Sequence, residues 1–92
     1  MIRSFAHKGL RRFYETGVRS KLTADMTDRI SVLLAALDEA EAIGDLNRPS
    51  FRLHPLKGDL KGFWSITVRA NWLIVFRFQD GDVWDVDLTD YH

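Results

Sequence analysis

Cysteine is missing from the 92-residue chain, which excludes disulfides and thiolate metal sites and fits a reducing compartment. Proline occurs twice and glycine six times, too thinly spread for a linker. No repeat or low-complexity stretch divides the sequence, so residues 1–92 are expected to form one domain. No apolar run approaches the roughly 20 residues that would span a bilayer. Arg3, Lys8, Arg11, Arg12 and Arg19 lie in the first twenty residues with no apolar stretch behind them, which is not the pattern of a secretory signal. Histidine is scarce, at three, and scattered. Neither a phosphate-binding glycine loop, a nucleophile elbow nor a metal-binding helix is written in the sequence. No metal and no cofactor is expected.

What is present describes a folded domain. Hydrophobic residues make up 46%, aromatics 12% and charged residues 28%, which argues against disorder. The net charge of zero hides an asymmetry: residues 1–69 hold 12 Lys/Arg against 8 Asp/Glu, whereas residues 70–92 hold Arg77 against five aspartates. Nine of the thirteen cations are arginine, whose planar fork suits phosphate better than the point charge of lysine. A solvated surface is the plainer explanation of the same composition.

Periodicity divides the chain into an α half and a β half. Met1–Phe5 reads as a short strand. His7–Thr16 reads as a helix, with Leu10, Phe13 and Tyr14 on one face and Gly17 closing it. Thr23 or Asp25 can cap a second helix that carries Met26, Ile30, Leu33, Leu34 and Leu37 on one stripe and ends at Gly44. From Phe51 the period becomes 2, and Phe51–Pro55, Gly62–Arg69, Trp72–Phe78 and Val83–Leu88 read as strands. The expected fold class is α+β, with two N-terminal helices packed on one face of a mostly antiparallel sheet. For the last hairpin a three-residue loop, Asp80-Gly81-Asp82, is preferred, because it sets Phe76 opposite Val86, Phe78 opposite Trp84 and Arg77 opposite Asp85.

Alternation then sorts the side chains. Leu53, Trp64, Ile66, Val68, Trp72, Ile74, Phe76, Phe78, Trp84, Val86 and Leu88 face the helices. Arg52, His54, Ser65, Thr67, Arg69, Leu73, Val75, Arg77, Asp85 and Asp87 form an outward, uncovered face, a candidate binding surface. His54 stands between Arg52 and Lys57, and an imidazole is the side chain best suited to act as a base near pH 7. Asp90-Tyr91-His92 puts an anion, a phenol and a second imidazole directly after a strand. Two imidazoles could divide the base and acid work of RNA cleavage, with cations stabilising the phosphorane. Arg52, Lys57, Lys61, Arg69 and Arg77 are the candidate phosphate contacts. Asn71, in a turn, could pair with an adenine edge.

Several segments together resemble the HigB branch of the RelE-type toxins of bacterial toxin–antitoxin systems. They are Met1-Ile2-Arg3-Ser4-Phe5, Leu53-His54-Pro55-Leu56-Lys57-Gly58-Asp59, Gly62 to Trp72, Phe76-Arg77-Phe78 and Asp90-Tyr91-His92. The resemblance covers essentially the whole chain. It implies a RelE-like microbial ribonuclease fold and a cytoplasmic bacterial toxin. The implied activity is cleavage of messenger RNA in the ribosomal decoding site by 2′-hydroxyl attack, without a metal. The implied partners are the ribosome, the messenger and a HigA-like helix-turn-helix antitoxin, with DNA reached only through the antitoxin. His54, Asp90, Tyr91 and His92 carry over as the catalytic set. One position departs: after Asn71-Trp72 these toxins usually carry arginine, and this chain has Leu73, which implies a slower enzyme, one that uses Arg69 or Arg77 in its place, or an inactivated one. The same arginine face would also serve a non-catalytic RNA- or ribosome-binding module, or an attenuated toxin acting within an antitoxin–DNA complex.

Overall fold

The computed structural model describes residues 1–19 and 22–90. Two helices, α1 (Lys8–Thr16) and α2 (Thr27–Glu39), precede four strands, β1 (His54–Pro55), β2 (Phe63–Arg69), β3 (Trp72–Gln79) and β4 (Asp82–Asp90). The strands form one antiparallel sheet in the order β1-β2-β3-β4. The helices pack on one side of it, as the α+β expectation required.

The expected stripe of α2 is what anchors the helix to the sheet. Ile30, Leu33 and Leu37 have no exposure and Met26 and Leu34 almost none; they meet Ile66, Ile74, Phe76, Val83 and Val86 in the core. Each such side chain contributes roughly 1.5–3 kcal/mol by leaving water. The ends of α1 also follow the sequence. His7 Nδ1 accepts the Leu10 N–H at 3.0 Å, and Gly17 closes the helix in the left-handed region, φ +78°.

The start and end of α2 differ from expectation. A 3-10 turn, Ala24–Met26, leads into it, and neither Thr23 nor Asp25 makes a side-chain cap. The helix stops at Glu39, not Gly44. Asp45 Oδ2 accepts the N–H groups of Glu41 and Ala42, at 3.0 and 3.1 Å, and this side-chain acceptor replaces the carbonyls that another turn of helix would have used. These bonds also hold the Asp45 carboxyl below its usual range.

Two expected strands are shorter than the alternation suggests. Residues 49–51 form a 3-10 turn and Arg52 is left-handed at φ 51°, so only His54–Pro55 remains of the strand expected from Phe51. Arg29 fixes that turn: its guanidinium lies over the Phe51 ring and donates to the carbonyls of Ser50 and Thr67. The segment Met1–Phe5 runs parallel to β4 but pairs at only two isolated bridges, Ile2 with Val83 and Phe5 with Val86.

The interruption comes from a bulge in β4. The β3–β4 turn has two residues, Asp80 and Gly81, both with positive φ, so Gln79 faces Asp82 and Arg77 faces Trp84. The preferred three-residue loop is therefore wrong at the tip. Beyond Trp84, Asp85 enters the left-handed region at φ 56°, and the register shifts by one before Val75 meets Asp87. That restores, further along the strands, the alignment the apolar pattern demanded. Trp84 consequently lies on the Arg77 side rather than in the core, and Val83 takes the buried position. Ser4 Oγ accepts the Asp85 N–H at 2.8 Å, and Arg77 Nε pairs with Asp85 Oδ2 at 2.8 Å, which holds the bulge from both sides.

Candidate active site

Cross-strand neighbours share a face of a sheet. His54 faces Ser65, Ser65 faces Val75, and Leu73 faces Thr89. These residues occupy the side away from the helices, where an open polar surface was expected. The structure has a recess there instead. Ser65 and Val75 are buried, and with Leu73 and Thr89 they line a pocket of about 430 Å³. The chain leaving β1 supplies the rest of the lining: Leu56, Lys57 and Leu60, the last at the end of the 3-10 turn Gly58–Leu60. The Leu56 N–H donates to the Phe63 carbonyl at 2.9 Å and ties this wall to β2.

His54 and Lys57 are the two predicted site residues that line the pocket. A proline after His54 fixes its backbone in the extended region, and the left-handed Arg52 before it turns the chain into the sheet. An imidazole and an ammonium at one recess can accept a proton and neutralise a phosphate.

The other candidates are dispersed. Asp90 ends β4 opposite Trp72, one residue past the pocket-lining Thr89, and is exposed. Tyr91 and His92 lie outside the described residues. Arg52 and Lys61 are exposed on loops flanking the pocket segment, and Asn71 is exposed in the two-residue turn between β2 and β3.

Arg69 departs from its expected face. A bulge between Thr67 and Arg69 shifts the end of β2, and Arg69 is bound to Asp25 ahead of α2. Arg77 does lie on the outward side, where Asp85 and Gln79 hold its guanidinium. Lys57 is thus the one Lys or Arg side chain lining the pocket among the described residues.

Sequence reasoning placed Ser65, Leu73 and Val75 on this face but missed Leu56, Leu60 and Thr89. Residues 56–60 have no periodicity that would orient them. Thr89 falls one residue beyond the apolar run used to end the last strand.

Comparison with known proteins places the whole chain in a family. The family described as the RelE-like toxin of the type II toxin–antitoxin system HigB matches residues 3–92. The chain is 54% identical to the Endoribonuclease HigB of Proteus vulgaris over 92 residues, the full length of both. It is 35% identical to Toxin HigB-1 of Vibrio cholerae over 83 residues, 88% of this chain and 87% of that one. The backbone is also similar to a heterotetrameric YoeB–YefM toxin–antitoxin complex from Staphylococcus aureus, with a TM-score of 0.63 at 17% identity, over 100% of this chain and 98% of the other.

Proposed function

Because the chain belongs to the HigB-like family, the RelE-like toxins of type II toxin–antitoxin systems, we propose that it is an endoribonuclease that cuts messenger RNA held by the ribosome and so arrests translation. The observation that carries this reading is His54 and Lys57 together at one recess. The full-length identity to a protein named an endoribonuclease supports it.

The chemistry needs no group from outside the chain. His54 takes the proton of a ribose 2′-hydroxyl. That oxygen forms a bond to the adjacent phosphorus, and the bond from phosphorus to the 5′ oxygen breaks. The products are a 2′,3′-cyclic phosphate and a 5′-hydroxyl, the leaving oxygen receiving a proton from an acid. Asp90, Tyr91 and His92 are the residues that the family resemblance offers for that step. Lys57 neutralises the phosphorane. A cation held at the rim beside the reacting phosphate is already in place when that charge develops.

Arg52, Lys61 and Asn71, all exposed near the pocket or at the neighbouring turn, are assigned to the RNA backbone and to base reading. Arg69 and Arg77 join them only by exchanging Asp25 and Asp85 for phosphate. The antitoxin is of the HigA-like helix-turn-helix type, and DNA is reached through it alone. The site of action is the bacterial cytoplasm.

The test is single-turnover cleavage of a messenger programmed on ribosomes, with the 3′ ends of the fragments identified. The wild-type protein should leave cyclic phosphate ends. His54→Ala should slow cleavage by about 10²–10⁴-fold, the usual worth of a positioned acid or base, with its denaturation midpoint unchanged. Near wild-type cleavage by His54→Ala would overturn the assignment of the base. Equal cutting of free and ribosome-bound messenger would overturn the ribosome requirement.

A further inference from the structure

The pocket has more apolar wall than a proton acceptor and a phosphate require. Leu60 is 44% exposed at its mouth, and Leu56, Leu73 and Val75 continue the lining inward. Ser65, between His54 and Val75 in the sheet, is 4% exposed. Its hydroxyl makes no hydrogen bond within the described residues. Yet no side-chain oxygen or nitrogen there is both sealed from solvent and unpartnered. The Ser65 hydroxyl therefore meets solvent, and the open space beside it is the pocket. Buried hydroxyls ordinarily have a partner in the protein or in ordered water; this one has none in the described protein, so its partner comes from whatever occupies the pocket.

We propose that the pocket seats one RNA base. It is the base of the nucleotide whose 2′-hydroxyl His54 deprotonates, packed by its face against Leu60 and Leu73 with its edge at the Ser65 hydroxyl. This deepens the ribonuclease reading and rests on it. A volume of about 430 Å³ lies within the span of roughly 300–1,000 Å³ typical of small-molecule sites. Bases taken out of a stack are held between apolar or aromatic side chains and read along an edge. Aliphatic walls accept the face of any base. A serine hydroxyl both donates and accepts, so the seat grips a base without selecting one.

With His54 at the rim and the apolar walls inside, burying the base would bring its own ribose to the imidazole. The seat thus positions the reacting sugar, and Leu60 and Ser65 act as positioning residues for the cleavage step.

Two arms test this. In the first, cleavage on ribosomes is measured for wild type, Leu60→Ala and Ser65→Ala. The messengers are either intact or abasic at the nucleotide 5′ to the cut. Loss of apolar contact in such a pocket costs roughly tenfold or more. Leu60→Ala should therefore cost about that factor, and because the seat places the sugar, the loss should appear in the saturated rate as well as in the half-saturating concentration. The abasic messenger should cost wild type a similar factor, and Leu60→Ala should then cost nothing further. Independent, multiplying losses would overturn the seat.

The second arm needs no cleavage. A 2′-O-methyl dinucleotide is added to the isotope-labelled protein, and contacts are sought between base protons and the methyl groups of Leu60 and Leu73. Their presence, weakened in Ser65→Ala, supports the seat even if no messenger is cut, an outcome that would sink only the ribonuclease reading. Their absence at saturating dinucleotide overturns the seat even if cleavage is normal.

Discussion

The two sides of the sheet hide their residues by different means. Toward the helices, Ile66, Ile74, Phe76 and Val86 are sealed by apolar partners from α2 and the first residues of the chain. On the other side Ser65 and Val75 are nearly as inaccessible, but they lie at the bottom of a recess whose rim is a histidine, a lysine and an exposed leucine. Partners fill the first side; shape alone shields the second. A truncation on the helix side leaves a cavity inside a close-packed interior, whereas one on the pocket side enlarges a space already open to solvent. Stability and activity should therefore be separable by face.

The sharpest way to break that contrast is Leu37→Ala. Leu37 is 0% exposed on the α2 stripe, and the substitution should cost roughly 2–5 kcal/mol in equilibrium denaturation. A loss under about 0.5 kcal/mol, the size of an ordinary surface change, would mean that the helix face does not depend on this packing.

Leu73→Arg works from the other side. It puts a cation at the position where the family resemblance implies an arginine, in a pocket lined by Lys57 as its sole Lys or Arg among the described residues. One fixed charge on a developing anion is commonly worth about 10²–10³ in rate. The saturated cleavage rate should rise by that order, with denaturation nearly unaltered. No gain would assign the whole neutralisation to Lys57.

Gly81→Ala tests the hairpin that the two faces share. Gly81 has φ +79°, and forcing an alanine into that region costs roughly 1–2 kcal/mol. Urea titration should find that loss, and an unchanged midpoint would mean the turn relaxes freely.

The smallest effect concerns acid. Hydrogen bonding to Arg3, and then the Met1 amine, holds the Asp82 carboxyl below its usual range. A carboxyl lowered by folding adds stability above its unfolded value, near pH 4, and loses it as pH falls through the lowered folded value. Asp82→Asn should match wild type in the steepness of its stability against pH above about pH 5, and should show a shallower decline below about pH 4. Identical acid limbs would mean the pair contributes nothing.

Much of this was legible in the residues. The α2 stripe and the alternation of β2 and β3 each follow from one dominant apolar face, and both were placed nearly to the residue. The hairpin between β3 and β4 shows where such reading stops. An Asp-Gly dipeptide suits a two-residue turn, whereas the apolar pattern favoured a register one residue away. The chain satisfies both by putting Asp85 in the left-handed region, a solution invisible to either signal alone. The strand expected from Phe51 failed for a different reason. Its alternation was genuine, but contacts from Arg29, 21 residues from Ser50, outweighed it. The pocket was half legible. His54 and Lys57 stood out through their neighbours, whereas Leu60 and Thr89 reach it through tertiary placement alone.

The segment laid along β4 has a consequence for how the protein is made. Ser4 and Asp85, bonded through their side chains, are 81 positions apart, and the carbonyls of Met1 and Ser4 accept from Val83 and Val86. During synthesis the two helices and the β2–β3 hairpin can form as they emerge, since their contacts are local. Residues 2–6 can meet α1 and α2 early, through Phe5 on Tyr14 and the Ile2 N–H on Asp38, but their backbone pairing must wait until β4 has left the translating machinery. The Thr89 wall arrives at the same late moment. A nascent chain thus holds His54 and Lys57 in an unfinished recess, and whatever the pocket does begins only once nearly the whole sequence has been delivered.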